Sequence, residues 1–221
     1  MDLVQRLHRL GFLEHVIVES IISTYNPNGE PNAAPMGIIM NEKGQLLTRP
    51  FTNTQTYRNM VERGCAVVNI TSKAELYYRT AFKGSSERIP SEWFENAKSV
   101  NAPYLKYADA HLETSVVNIQ HHGENRAEIL LKVESIDVKD SYIPQVYCRA
   151  NFITIESIIH ATRVRAFLSQ KRLSEADELI RLIEYYNTTV CRIAPNSIYS
   201  TIMSNLLKRV NEWKSCIDDR V

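Results

Sequence analysis

Apolar and polar positions change their period along the chain, and the changes mark its elements. Leu3, Val4, Leu7 and Leu10 recur at helical spacing among Gln5, Arg6 and Arg9, so residues 3–10 read as a short amphipathic helix that Gly11 ends. The run EHVIVESIISTYNPNGEPNAAPMGIIM then holds two β-rich segments around Asn26-Pro27-Asn28-Gly29. Proline at the second turn position and glycine at the fourth suit a type I turn, and the pattern predicts a hairpin. A second turn, Asn41-Glu42-Lys43-Gly44, leads to a strand in QLLTR, and CAVVNIT supplies another. AELYYRTAF and SEWFENA predict short helices at the edge of the domain, with Pro90 and Pro103 interrupting anything longer. Between His111 and Val138, Ile129, Leu131 and Val133 alternate with Glu128, Leu130, Lys132 and Glu134, and His122-Gly123-Glu124-Asn125 is the turn of a second hairpin.

After Pro144 the pattern becomes helical, over about 149–169, 174–193 and 197–213. In the first of these, Phe152, Ile155, Ile159, Thr162 and Ala166 define an apolar stripe, with Glu156, His160 and Arg163 off it. Ser174-Glu175-Ala176-Asp177 resembles a capping box, and Ile198, Ile202, Leu206 and Val210 share a face of the last helix. Strands first and helices after define an α+β chain: a β domain at 1–144 and a helical region at 145–221, expected to pack on it.

Composition narrows the function classes. The 221 residues carry a formal net charge of +1, which provides no global field for nucleic acid or an anionic membrane surface. No apolar run reaches the roughly 20 residues of a membrane span, and MDLVQRLHRLGF interleaves charge with leucine, so the expected location is the cytoplasm. Cys65, Cys148, Cys191 and Cys216 are scattered without a CxxC pair, which predicts free thiols rather than a zinc site or disulfides. The chain lacks GxSxG, GxGxxG and GxxxxGK[ST], which removes the usual signatures of a serine hydrolase, a dinucleotide fold and a P-loop. His121 and His122, adjacent on a strand, point to opposite faces and cannot share a metal ion without a bulge; no metal ligand set is assigned.

The stretch TRPFTNTQTYRNMVERG, Thr48 to Gly64, holds the candidate chemistry. Thr54, Gln55 and Thr56 lie where a loop becomes a helix, whose first N–H groups lack internal partners and favour an anion such as phosphate. Thr54 and Thr56 add hydroxyls and Arg49 a charge-assisted contact. The same spacing also suits a helix that Thr54 merely caps. In NAAPMGIIM, Ala34, Pro35, Met36 and Gly37 either let a ligand approach the backbone or mark a tight strand crossing. Asn69, polar within an apolar strand, either lines a pocket or bonds to neighbouring backbone.

ESIISTYNPNGEPNAAPMGI, TRPFTNTQTYRNM, AVVNIT, CRANFITIESIIHATRV and CRIAPNS, in that order, resemble an uncharacterised archaeal and bacterial family with the flavin-reductase-like, FMN-binding split-barrel fold. The resemblance implies a six-stranded split β-barrel with a C-terminal three-helix region, a homodimer, and FMN near the subunit interface. It implies that Arg49, Thr54, Gln55 and Thr56 hold the FMN phosphate, that Ala34, Pro35, Met36 and Gly37 lie along the flavin, and that Asn69 meets it. Arg149 and Asn151 would face the same pocket. Ser72 and Lys73 stand where the family pattern is acidic, a departure that touches the pocket wall. The implied function is FMN binding, with oxidoreduction through the flavin as the reaction class and no catalytic side chain specified. The alternative is a non-enzymatic flavin-binding or partner-recruiting module.

Overall fold

The computed structural model describes residues 2–12, 14, 17–83, 89–139 and 149–218. The chain forms two compact units, one of residues 1–71 and 84–143, the other of 72–83 and 144–221. Pro144, the boundary read from the sequence, and Cys148 lie outside the described residues.

The strands of the first unit are β1 (Ile17–Tyr25), β2 (Pro31–Met40), β3 (Leu46–Thr48), β4 (Cys65–Ile70), β5 (Phe94–Asn96), β6 (Pro103–Leu105), β7 (Ala110–His122) and β8 (Arg126–Val138). Six of them close an antiparallel barrel in the order β1-β2-β3-β8-β7-β4. Alternate residues point inward, so Ile22, Ile38, Met40, Leu46, Val68, Leu112, Ile129 and Leu131 meet in one core. Helix α1 (Leu3–Arg9), capped by Asp2, adds Leu7, and the segment after it adds Phe12, both fully buried in that core. Burial of two such side chains stabilises the fold by about 2–3 kcal/mol each. Gly44 has φ +70°, and a Cβ there would stand 3.2 Å from the side chain of Val4, so this turn approaches α1 as only glycine allows.

The short hairpin β5-β6 covers the outer face of β4, where Cys65, Val67 and Ala102 form a small apolar cluster with Val100 and Tyr104. SEWFENA is therefore not a helix: one 3-10 turn, Ser91–Trp93, leads directly into β5. Trp93-Phe94 favours extended backbone, and pairing of Phe94 with Leu105 settles the competition. Beneath this hairpin Glu113 is buried, and its carboxylate accepts from the N–H groups of Lys98 (3.0 Å) and Ser99 (2.5 Å).

The second unit contains α3 (Ala74–Ala81), α4 (Arg149–Ser169), α5 (Leu173–Ile193) and α6 (Ile198–Asp218). The stripe read on α4 needs correction, because Phe152 is 44% exposed and Thr162 is exposed, whereas His160 is buried. The buried band runs through Ala150, Thr154, Ser157, Ile158, Ala161, Val164 and Leu168. Thr154 and Ser157 enter it because their hydroxyls donate to the carbonyls of Ala150 and Ile153 four residues back. The capping box is also absent: α5 begins after Arg172, whose guanidinium pairs with Glu175 at 2.8 Å.

Burial pushes the Glu113 carboxyl upward, but the Lys98 and Ser99 N–H groups and nearby His111 outweigh it and hold the group below its ordinary value of 4.5. A depressed folded value contributes stability that is present above the unfolded value and lost as pH falls through the folded one. Glu113→Gln is therefore expected to lower unfolding free energy at pH 7 by about 2 kcal/mol and to flatten its decline below about pH 4.5, read by urea denaturation across pH.

Candidate functional site

Helix α2 (Gln55–Arg63) starts where the sequence places it. The Thr54 hydroxyl accepts from the Tyr57 N–H at 3.3 Å and donates to the Phe51 carbonyl at 2.7 Å. Gly64 ends the helix with φ +64°. The N–H groups of Gln55 and Thr56 have no acceptor among the described residues, and they form the positive end of the helix dipole.

The side chains behind that terminus turn the other way. Thr56 is 2% exposed, and its hydroxyl accepts from the Asn32 amide at 3.1 Å. Asn32 also donates to Thr24, which in turn receives the Asn59 amide at 2.9 Å. Asn59 donates to Asn26 and accepts from Gln55 Nε2 at 2.7 Å. Thr56 thus offers an outside anion its main-chain N–H and not its hydroxyl, and this buried network fixes α2 to the β1-β2 hairpin.

Arg49 follows β3, with its side chain 60% exposed and its Nε 3.0 Å from Glu128 Oε2. His122 Nε2 stands 3.9 Å from the same carboxylate oxygen. Arg126 donates to the Arg49 carbonyl at 2.8 Å and lies over the Phe51 ring at 3.6 Å, a cation–π contact. These groups line an open cavity of about 380 Å³. The tip of β7-β8 also holds the loop before α2, since Thr52 N–H donates to the Asn125 carbonyl at 3.2 Å and Ala127 N–H to Pro50 at 3.2 Å.

Ala34, Pro35, Met36 and Gly37 form the half-buried middle of β2. Met36 packs towards the barrel core, which leaves Pro35 and Gly37 outward. Gly37 is joined to the start of the loop, because its carbonyl accepts from Thr48 Oγ1 at 3.1 Å. Pro35, Ile21 and Asn69 lie in one row across β2, β1 and β4, so Asn69 is about 10 Å from Pro35 at ordinary strand spacing. Asn69 is fully buried; its amide donates to the Ile21 carbonyl (2.9 Å) and Ser23 Oγ (2.8 Å), and its Oδ1 accepts from Leu105 N–H (2.7 Å). It brackets β6 to the barrel, the backbone-bonding arrangement that the sequence left open. Asn151 belongs to the second unit and accepts from Ala74 N–H at the start of α3; the Arg149 side chain lies outside the described residues.

Sequence reading missed Arg126, His122 and Glu128, which lie more than 70 positions from Arg49 and meet it only through β3-β8 pairing. It also missed Asn59, although its four-residue spacing from Gln55 on α2 was visible. Among the described residues no three His, Cys, Asp or Glu side chains gather as a metal site, and no helix is long and apolar enough to cross a membrane.

The closed six-stranded antiparallel barrel has the split-barrel fold. Residues 18–140 match the family described as protein of unknown function (DUF447), N-terminal domain, and the chain is a member of that family. Among solved structures it is similar to the FMN-bound protein MM1853 from Methanosarcina mazei, with a TM-score of 0.74 and 22% identity over 92% of this chain and 99% of that one. It is also similar to 2-nitrobenzoate 2-nitroreductase NbaA of Pseudomonas fluorescens, with a TM-score of 0.50 and 16% identity over 65% of this chain and 75% of that one. Among curated proteins none matches the sequence.

Asn59→Ala removes both amide donations and the Gln55 contact inside the barrel wall. It is expected to cost about 3 kcal/mol in urea denaturation, whereas Gln55→Ala, at the exposed end of the network, costs under about 1 kcal/mol.

Proposed function

We propose that this chain binds FMN, with the phosphate at the N-terminus of α2, and acts as a flavin-dependent oxidoreductase. The carrying observation is the pair of free N–H groups at Gln55 and Thr56, the first residues of α2, behind a loop that Arg49 opens and Arg126 holds. Those residues fit a phosphate dianion, since two guanidinium groups and a helix terminus supply the positive field. Outward Pro35 and Gly37 on β2 fit the flavin body, because a small or flat residue permits close approach to the strand. Binding by MM1853 supports the same cofactor here.

When bound, FMN supplies hydride or electron transfer through its ring. The chain's part is to anchor the phosphate, to orient the ring along β2, and to exclude water. Arg49 begins paired with Glu128, so phosphate binding exchanges one acceptor for another and releases the carboxylate. We further assign a homodimer, with the barrel wall as its interface. Ile39, Leu47 and Leu130 support it: they pair in one row across β2, β3 and β8, half-exposed, with Val117 52% exposed on the bulged strand β7 beside β8.

Titration of the purified protein with FMN and riboflavin tests the cradle. Arg49→Ala is expected to weaken FMN about 10- to 100-fold and leave riboflavin unchanged, the size of a lost charge-assisted bond. Glu128→Gln is expected to tighten FMN severalfold. Equal affinity for the two flavins in the parent would remove the cradle. Oxidation of NADH or NADPH by the FMN-loaded protein reads the reaction class; tight binding without turnover assigns a flavin-binding module instead.

A further inference from the structure

At the opposite end of α2 from the cradle, Arg63 lines a second cavity of about 380 Å³ with Tyr25, Asn96, Val100, Asn101 and Ala102. The nine residues of the helix separate the two ends by about 13 Å at helical rise. Arg63 Nη2 donates to the carbonyls of Asn26 (2.8 Å) and Pro27 (3.2 Å), which fixes the guanidinium against the β1-β2 turn. Its Nε is buried without an acceptor, and among the described residues no carboxylate pairs with it. The guanidinium thus stands at the cavity wall with its positive charge unmatched by a carboxylate, and an anionic oxygen in the cavity is the partner that suits it best.

The other walls define the ligand further. The Tyr25 hydroxyl donates to Asn96 Oδ1, leaving its oxygen able to accept, and the Asn96 and Asn101 amides are neutral hydrogen-bonding groups. Ala97, Val100 and Ala102 contribute apolar surface. The loop carrying these residues is held by the carboxylate of Glu113 through Lys98 and Ser99, so the cavity has a fixed wall.

We propose that this cavity is a binding site for a small organic carboxylate, separate from the flavin cradle. One guanidinium matches one negative charge, and the apolar wall takes a compact body rather than a second charged group.

The test uses NMR titration of the full chain with benzoate, acetate and inorganic phosphate, with and without FMN. Benzoate is expected to shift the amides of residues 25–29, 63 and 96–102 whether or not FMN is present, and acetate, lacking the body, to bind at least tenfold more weakly. Arg63→Gln is expected to raise the benzoate dissociation constant at least tenfold. Because Arg63 also holds the turn, Asn101→Asp is the second variant: it leaves Arg63 in place, supplies an internal carboxylate, and is expected to abolish benzoate binding. Scattered shifts, unchanged affinity in both variants, or phosphate binding as tight as benzoate would overturn the proposal. The FMN titration reads the cradle independently, so either site can fail without the other.

Discussion

The geometry of the first unit depends on a buried set of amides and hydroxyls, in which Thr24 and Asn32 of the hairpin hold Thr56 and Asn59 of α2. Apolar contacts would seat a helix on a sheet but would leave it free to slide and roll. Directional bonds in a low-dielectric wall remove that freedom, because each donor must meet its own acceptor. The helix is thereby aimed, and its last residue, Arg63, comes to line a cavity. The loop before it is fixed by the tip of β7-β8, so one end of the barrel is a single tied structure.

Most of the fold was legible in the sequence because its signals are local. The Asn26–Gly29 and Asn41–Gly44 turns, the alternation in β8 and the start of α2 each follow from a few neighbouring residues. SEWFENA failed because three residues of β5 are decided by a partner strand. The stripe on α4 failed because serine and threonine, scored as polar, satisfy their hydroxyls on the helix and can then be buried. The capping box failed because α5 starts at Leu173, which puts Ser174 inside the helix rather than at its cap.

The candidate site divides along the same line. Thr54 and the free N–H groups behind it were readable, since a helix start is a local event. The inward turn of Thr56 was not, because Asn32 comes from a different element. Nor was the company of Arg49: Arg126 and His122 reach it through the closure of β3 on β8. Asn69 shows the ambiguity of a polar residue in a strand, where a buried bracket and a ligand contact have the same sequence signature.

The plug formed by α1 also constrains how the chain reaches this structure. Leu7 and Phe12 enter a core completed by β8, and Arg6 Nη2 donates to the Ile136 carbonyl at 2.9 Å, a contact spanning 130 positions. An emerging chain therefore makes its first helix long before the strands that enclose it exist. Until residue 138 is available, the apolar sides of α1 and the first hairpin have no final partner. Contacts of such separation slow folding, and they place the period of greatest exposure during synthesis rather than after it.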